Sequence, residues 1–406
     1  MNHKTFFAFI VIFTILFLQD SSAQLFKLDA NVELTATTYN PNTDPERTIN
    51  RNFRDDDPFN PARGKLFPHL RFTNTFGFEA EVLFDNRAKK FDRSRNAQVR
   101  PDGFFVSVRG LIDNRLNFWL GRIPTPVGTF SPRSYSHVNP LIGYPLAYHY
   151  KVPYNVFVLS SEAANLFLRD NNVGAGTSIY EACWITGLTA FGDIESFDYM
   201  LAIGRGTLTN PEASANKGFQ VAGHVGKTIN QQFSLGISAG IAPYLEKESG
   251  LPTGVRVRDP KHFIAGFDVA AHLQKLHLIA EAFYNSWDTP QYMNEKSIHA
   301  YTWYLEGQYF ILSNLYVATR FDQMLYDDIT DPSTRQKTPW GYDVTRVEGG
   351  LGYRFIPQLN IKAVVQYNKL AHPSTKEITL LAFQTAFRFE DIQKIFGLDG
   401  SHKTPY

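Results

Sequence analysis

The chain has 406 residues, of which 43% are hydrophobic and 15% aromatic, and its formal net charge at pH 7 is +1. This length suits two ordinary soluble domains or one large barrel. The near-neutral charge argues against nucleic acid as a partner, because proteins that bind a polyanion usually carry a basic excess. The single cysteine, Cys183, excludes an intrachain disulfide and a cysteine-based metal cluster.

The first residues have the pattern of an export signal. Lys4 supplies a positive charge, the stretch that ends at Leu18 is almost wholly apolar, and Ser21 and Ala23 are the small residues of a cleavage site. We therefore predict a signal peptide over residues 1–23, with the mature chain starting directly after it.

Beyond the signal, apolar and polar residues alternate along the chain. The clearest example is Phe76–Asp85, where apolar residues at even positions oppose Gly77, Glu79, Glu81 and Asp85 at odd positions. A period of two is typical of a β-strand with one face in each environment. Because the pattern recurs as far as Phe389, we predict one barrel domain over residues 24–389, with apolar side chains toward lipid and polar ones toward the lumen.

The connections between the predicted strands alternate in length. Short turns, such as Asp113–Asn114 and Pro357–Gln358, alternate with long polar loops, such as Asn40–Lys65, Asn86–Asp102 and Gln323–Asp343. Outer-membrane barrels have short periplasmic turns and long outer loops. The predicted fold class is therefore all-β, a transmembrane antiparallel β-barrel in the cell outer membrane.

The strand count depends on the central part of the chain. About 16 strands result if Gly121–Asp170 is one excursion into the lumen and Val173–Phe191 is a strand, while an extra hairpin in Tyr154–Leu168 would give 18. Gly121–Lys151 is rich in Pro, Gly and Tyr and has no sustained period. We predict that it folds inward as a constriction loop.

A family resemblance rests on this segment. The signal peptide, GRIPTPVGTFSPR at Gly121–Arg133, RDNNVGAG at 169–176 and the aromatic-ended last strand resemble Gram-negative outer-membrane porins, in particular the phosphate-selective porin O/P-like family. The resemblance implies a 16-stranded barrel, often a homotrimer, with an inward loop at the constriction. The phosphate selectivity of that family depends on an arginine ladder and a lysine ring, for which this sequence offers no residue-by-residue match.

The chain continues past the expected end of such a barrel. Phe389 is followed by residues 390–406, in which Ile392, Ile395 and Phe396 have the spacing of a short amphipathic helix. We predict that this tail is periplasmic.

The candidate site residues fall into two groups. The predicted contacts with solute at the constriction are basic or aromatic: Arg122, Arg133, His137, Tyr148, His149 and Lys151. The predicted lumen wall consists of charged residues on the polar faces of strands: Arg71, Glu79, Glu81, Arg109, Arg115, Arg320, Arg354, Lys362 and Arg388. A basic, aromatic constriction would favour anions or sugars, with Arg133 and Lys151 as the main anion contacts. The alternative is that the loop only packs on the wall and its cations pair with Glu79 or Glu81.

The sequence leads to three hypotheses on function. The first is a passive channel for small hydrophilic solutes, with a preference for phosphate-like anions; the second is a barrel that binds or scaffolds partners without transport; the third is a barrel enzyme. No nucleophile, zinc or phosphate-loop motif supports catalysis, so we predict no enzyme activity, no cofactor and no metal centre. Acidic runs at Asp55–Asp57 and around Asp327 could hold Ca²⁺, with solvated loop acids as the alternative.

Overall fold

Sixteen antiparallel strands form a closed barrel in the computed structural model of the chain. The structure describes residues 25–40, 49–52, 56–88, 95–153, 175–181, 184–209, 217–245, 251, 253–289, 297–330, 334–371 and 377–391. The barrel strands are β1 (Leu25–Tyr39), β2 (Ala62–Arg71), β3 (Phe76–Ala88), β4 (Arg95–Leu111), β5 (Leu116–Pro124), β6 (Trp184–Ile194), β7 (Phe197–Arg205), β8 (Phe219–Thr228), β9 (Phe233–Pro243), β10 (Lys261–Leu273), β11 (Leu276–Asp288), β12 (Ser297–Phe310), β13 (Leu315–Tyr326), β14 (Val344–Ile356), β15 (Leu359–Leu370) and β16 (Glu377–Phe389). The short elements are a 3₁₀ turn at Ser131–Arg133, helix α1 (Leu146–His149), a two-residue strand pair of Val152–Pro153 with Ala175–Gly176, and a hairpin of Asp328–Thr330 with Lys337–Pro339.

The barrel closes between its first and last strands. β1 pairs with β16 in an unbroken register from Ala30 opposite Phe389 to Tyr39 opposite Leu380. The predicted count of 16 strands is confirmed, and the 18-strand alternative does not describe this barrel. The extra hairpin considered at 154–168 lies outside the described residues, as do the predicted signal peptide and the tail beyond residue 391.

Alternation places apolar residues outside and polar or small residues inside. Ile237 is 62% exposed on the outer face of β9, whereas Ser238 is 6% exposed on the inner face. Phe383 and Gln384 in β16 show the same contrast, with 54% and 3% exposure. An apolar outer face with polar groups inside is the pattern of a barrel whose outer surface lies in lipid. Among the described residues, no helix is long and apolar enough to cross a membrane.

The connections differ at the two ends of the barrel. Seven turns of two to four residues lie at one end, which we call the short-turn end: 72–75, 112–115, 195–196, 229–232, 274–275, 311–314 and 357–358. The longer connections leave from the opposite, long-loop end. β1 starts and β16 finishes at the short-turn end, which agrees with the predicted asymmetry.

Three predicted boundaries are wrong. β2 begins at Ala62 although a loop was expected as far as Lys65, and β3 and β4 extend into the loop expected over 86–102. In β2 the reason is that charged residues read as loop are the inner face of a strand: Arg63 pairs with Glu33 at 3.3 Å, and Lys65 pairs with Glu81 at 2.6 Å.

The third wrong boundary is the strand expected over 173–191, which begins only at Trp184. The apolar residues before it had suggested a strand. Ile179 and Tyr180 instead pack as irregular chain inside the lumen, where both are 1% exposed.

The first testable prediction concerns the outer face. We expect Ile237→Arg to destabilise the inserted barrel by about 2–4 kcal/mol, because a cation near the middle of the bilayer loses its hydration. The measurement is the free energy of unfolding in phospholipid vesicles. Gln308→Arg, on the inner face of β12, is the matched control and should change this free energy far less; equal losses would contradict the assignment of the two faces.

Candidate functional site

The chain between β5 and β6 enters the lumen, and we call residues 125–151 the inner segment. Near its start it contacts the wall at β8, where Gln220 Nε2 donates to Thr125 Oγ1 at 2.8 Å, and then at β9 and β11. The Gly128 amide donates to Ser238 Oγ at 3.2 Å, and the Thr129 amide donates to Glu281 Oε1 at 2.6 Å. Gly128 has φ +67°, and a side chain there would meet Tyr148 and Phe283, so the close approach to the wall requires glycine. The predicted inward fold of this segment is confirmed for its described residues.

Lys362 in β15 holds the middle of the inner segment. Its Nζ donates to three backbone carbonyls, those of Ser136 at 2.9 Å, Asn139 at 3.2 Å and Leu141 at 2.9 Å. Lys362 is 1% exposed. A buried ammonium is stable only if its N–H donors are hydrogen-bonded, and these three carbonyls have no partner in a sheet. The three hydrogen bonds therefore satisfy both the ammonium and the carbonyls.

An ion network on β12, β13 and β14 holds the next part. Arg320 is fully buried and pairs with Glu306 at 2.9 Å and with Glu348 at 3.0 Å. Its Nη2 also donates to the Gly143 carbonyl at 2.6 Å, and Glu348 Oε1 accepts the Gly143 amide at 2.7 Å. Arg133 of the inner segment pairs with Glu306, so this network joins the inner segment to the barrel wall.

The inner segment is also tied to the opposite wall. Tyr135 OH donates to Glu81 Oε2 on β3 at 2.8 Å, and Asn31 Nδ2 on β1 donates to Ser136 Oγ at 2.9 Å. Arg63 on β2 donates to Tyr144 OH at 3.1 Å. The segment is therefore fixed across the lumen to strands on both sides.

Two residues predicted at the constriction, Tyr148 and His149, are structural contacts. Tyr148 is fully buried and donates to Glu281, and His149 is 2% exposed between Glu181 at 3.1 Å and the Asp56 carbonyl at 2.9 Å. Neither ring is open to a passing solute, which corrects the prediction for both. Burial in the packed half of the lumen, which sequence alone did not reveal, is the reason.

The other constriction residues differ in position. The prediction for Arg122 is wrong, because it lies within β5 beside Phe104 and Thr186 on the outer face and donates to the Asp102 carbonyl at 2.6 Å. Lys151 is half-buried and directly precedes the short strand Val152–Pro153. The side chain of Arg133 is 16% exposed, and its carboxylate partner is Glu306 rather than Glu79 or Glu81.

Most of the predicted wall residues lie on inward positions of their strands. Arg109 pairs with Glu79, and Arg354 lies over the rings of Phe310 and Tyr316. Arg71 lines a cavity at the short-turn end, and Arg388 pairs with Glu390 at 2.8 Å. Arg115 is the exception, because it belongs to the exposed turn 112–115 and not to the wall.

Open space remains on the side of β1–β8. A cavity of about 540 Å³, which we call the aromatic cavity, lies between the inner segment and the wall; its lining includes Phe105, Trp119, Tyr135, Trp184, Phe191 and five carboxylates. A second cavity of about 290 Å³ lies beside it and includes His69, His137 and Arg388. The two share Glu79, Glu81, Phe105, Tyr135 and Trp184, so they are adjacent parts of one space.

The candidate calcium positions are only partly described. Asp55 and Asp331 lie outside the described residues. Asp56 is 2% exposed, accepts from Tyr180 OH and pairs with Arg100 at 3.4 Å, so it is not a solvated loop acid. Within the described part of the chain, no group of three or more His, Cys, Asp or Glu residues is placed to hold a metal ion.

The sequence did not identify the carboxylates that anchor the segment. Glu281, Glu306 and Glu348 could be placed on inward faces by alternation, but nothing in the pattern distinguishes them from solvated wall acids. The one sequence feature that could have indicated the contact is Gly143. A side chain at this position would meet Glu348 and Gln366, so the glycine lies where the segment touches the wall.

These features define a class of protein by fold: a closed 16-strand barrel with an apolar outer face and an inward segment. No protein-family model matches the chain, and no curated protein matches its sequence.

Solved structures share the fold. The chain is similar to OmpT in its trimer form, an outer membrane protein of Vibrio cholerae, with 11% identity, TM-score 0.54 and coverage of 91% of this chain and 100% of that one. It is also similar to an anion-selective porin from Comamonas acidovorans, with 10% identity, TM-score 0.53 and coverage of 90% and 100%. A third is the outer membrane channel DcaP of Acinetobacter baumannii, with 10% identity, TM-score 0.52 and coverage of 91% and 99%. At these identities the likeness establishes the fold alone, a closed β-barrel of the kind seen in these outer-membrane proteins.

The second prediction concerns the anchor on β15. We expect Lys362→Met to lower the free energy of local opening at residues 136–141 by roughly 2–3 kcal/mol, because three buried carbonyls lose a charged donor. Hydrogen exchange of these amides in the folded protein measures this. Lys275→Met, in the turn 274–275, is the control; unchanged exchange in Lys362→Met would show that the segment is held by other contacts.

The third prediction concerns pH. Burial, together with repulsion from Arg388 and Lys362, lowers the pKa of His137 from 6.5 to about 4. Between these values the unfolded segment binds a proton that the folded one does not, so its stability should fall as pH drops through 6.5 and level off below 4.

The measurement is hydrogen exchange of the inner segment from pH 7.5 to 4 in the wild type and in His137→Gln. The difference between the two proteins isolates this histidine from other titrating groups. An identical pH dependence would contradict the prediction.

Proposed function

We propose that this protein is a passive diffusion channel for small hydrophilic solutes in the outer membrane. The observation that carries the proposal is the cavity of about 540 Å³ left between the inner segment and β3–β8, inside a closed barrel with charged inward residues. A barrel of 16 strands encloses an aqueous space instead of a packed core. The inner segment then narrows the path to one side of the lumen.

The location and processing belong to the same proposal. Export would use the signal peptide at 1–23, the barrel would cover 24–389 and the tail at 390–406 would remain in the periplasm. The orientation of the barrel supports this proposal. β1 starts and β16 ends at the short-turn end, which in outer-membrane barrels faces the periplasm. Lipid would cover the apolar outer face.

The expected preference for phosphate-like anions has little support from geometry. It would depend on Arg133 and Lys151, and the charge of Arg133 is already balanced by Glu306. The aromatic cavity is lined by five carboxylates and a single lysine, Lys65, and the adjoining cavity adds Asp29 and Arg388. A neighbour by fold carries the description of an anion-selective porin, but the 10% identity does not extend that property to this chain.

A second candidate function is a barrel that binds or scaffolds a partner without transport. The observation that favours it is the extent to which the inner segment is fixed to both walls. A homotrimer fits either function, and one fold neighbour is described in a trimer form. We propose no catalytic activity, because the inward histidines and carboxylates discussed above are explained by anchoring and wall contacts.

The fourth prediction tests the channel. Purified protein should give discrete, ohmic conductance steps in planar bilayers. Arg133→Gln should change the anion-to-cation permeability ratio by less than about twofold, because its side chain is only 16% exposed and Glu306 keeps Arg320 as a partner in the variant. The ratio is measured from the reversal potential in a KCl gradient.

Arg258→Gln, in an exposed loop, is the control for handling and insertion. A large shift toward cations in Arg133→Gln alone would show that this arginine lines the ion path. Absence of conductance from correctly folded protein would favour the binding barrel.

A further inference from the structure

We propose that the aromatic cavity is a binding site for a small organic cation, such as an ammonium compound. The inference deepens the proposed function, because it takes the ligand to be a solute that enters the lumen. Two observations carry it: a row of aromatic rings on the inner wall and an excess of carboxylates around the same space.

The rings come from three neighbouring strands. Phe105 on β4 lies 5.1 Å from Trp119 on β5, and Trp119 lies 4.4 Å from Phe191 on β6, measured between ring centroids. Trp184 is stacked 6.5 Å from Phe105. Phe105 packs in an apolar cluster with Ile123, Tyr180 and Ile185, whereas Trp119, Trp184 and Phe191 are half-buried where they line the cavity. Inward positions of a water-filled barrel are usually polar, so half-buried rings that line a cavity are candidate ligand contacts. A cation placed over such ring faces is attracted by their quadrupoles.

The charges around the rings are unequal. The carboxylates that line the cavity are Glu79, Glu81, Glu181, Asp193 and Asp198, and the one lysine is Lys65. Lys65 pairs with Glu81 at 2.6 Å and lies 4.4 Å from the Tyr135 ring centre. Glu79 pairs with Arg109, and Glu181 with His149. After these pairings the acidic excess is concentrated on β6 and β7.

Asp193 and Asp198 stand directly opposite each other across these two strands. The side chain of Asp198 is 52% exposed, and His224 lies 3.7 Å from it and 3.0 Å from Asp268. Like charges opposite each other in a sheet repel, and the single histidine is shared with a third acid. A cation at this position would relieve the repulsion between the two aspartates.

The acids and the rings form a continuous path. Asp193 lies two residues from Phe191 on the same face of β6, next to the turn at the short-turn end. An organic cation that enters from the short-turn end would therefore meet the aspartate pair first and the faces of Phe191 and Trp119 next. The volume of about 540 Å³ is within the range usual for small-molecule sites. Acids of this number oppose an anion, and a neutral sugar would donate hydroxyl hydrogen bonds to them but leave their charge uncompensated.

The test is a binding titration of the folded full chain in a non-ionic detergent. The probe is choline chloride at constant ionic strength, with intrinsic tryptophan fluorescence and calorimetry as readouts. We expect saturable binding that NaCl, sodium phosphate and maltose do not reproduce. Trp119→Ala, and separately the pair Asp193→Asn with Asp198→Asn, should each weaken choline binding about tenfold.

Matched variants separate the site from general effects. Phe310→Ala removes an inward ring on β12, and Asp259→Asn removes an exposed loop acid; both should bind choline as the wild type does. Trp119→Phe, which keeps a ring, should retain most of the affinity and serves if the alanine variant does not fold.

Lack of saturable choline binding would overturn the inference, as would equal binding by the wild type and the aspartate pair variant. Binding of maltose or phosphate that depends on Trp119, without choline binding, would also overturn it. Because binding is measured in detergent and conductance in a bilayer, the failure of one proposal is distinguishable from the failure of the other.

Discussion

The structure depends on satisfying the backbone of an irregular segment inside a barrel. Residues 125–151 have little regular structure of their own, so their buried carbonyls and amides need partners from elsewhere. Lys362, Arg320 and Arg346 on β15, β13 and β14 donate to the carbonyls, with Arg346 Nη1 donating to the Tyr144 carbonyl at 2.7 Å. Glu281 and Glu348 accept from the amides of Thr129 and Gly143. Buried cations are costly in isolation and become acceptable here because each one donates to carbonyls of the inner segment and Arg320 also pairs with Glu306 and Glu348.

This arrangement makes the lumen asymmetric. The wall formed by β11–β15 is occupied with holding the inner segment, and apolar residues such as Trp287, Met324 and Trp340 fill the space above it toward the long-loop end. The wall formed by β3–β8 faces the aromatic cavity. A solute path, if the barrel conducts, therefore lies against this second wall, and its chemistry is that of the residues there.

The barrel fold could be predicted from the sequence because the alternation of apolar and polar residues is visible within each strand by itself. Each strand has to present one face to lipid and one to the lumen, so residues such as Ile237 and Ser238 reveal their faces without knowledge of any partner. The inward fold of 125–151 could be predicted from its lack of period. The ends of β2, β3 and β4 could not, because Arg63 and Lys65 look like loop residues until their partners Glu33 and Glu81 are known.

The candidate site was less predictable for a related reason. Alternation places a charge on the inner face but does not say what it meets, and in a closed barrel its partner can be hundreds of residues away: Lys362 binds carbonyls around residue 139, and Glu348 binds the amide of Gly143. Arg133 was predicted as a main anion contact, and nothing in the sequence singled out Asp198. One is paired within a buried network, and the other is half-exposed beside a second aspartate. Since only charge that is not already compensated can attract a solute, we propose that its exposed acids and aromatic rings, rather than the cations of its inner segment, would set the selectivity of a conducting barrel.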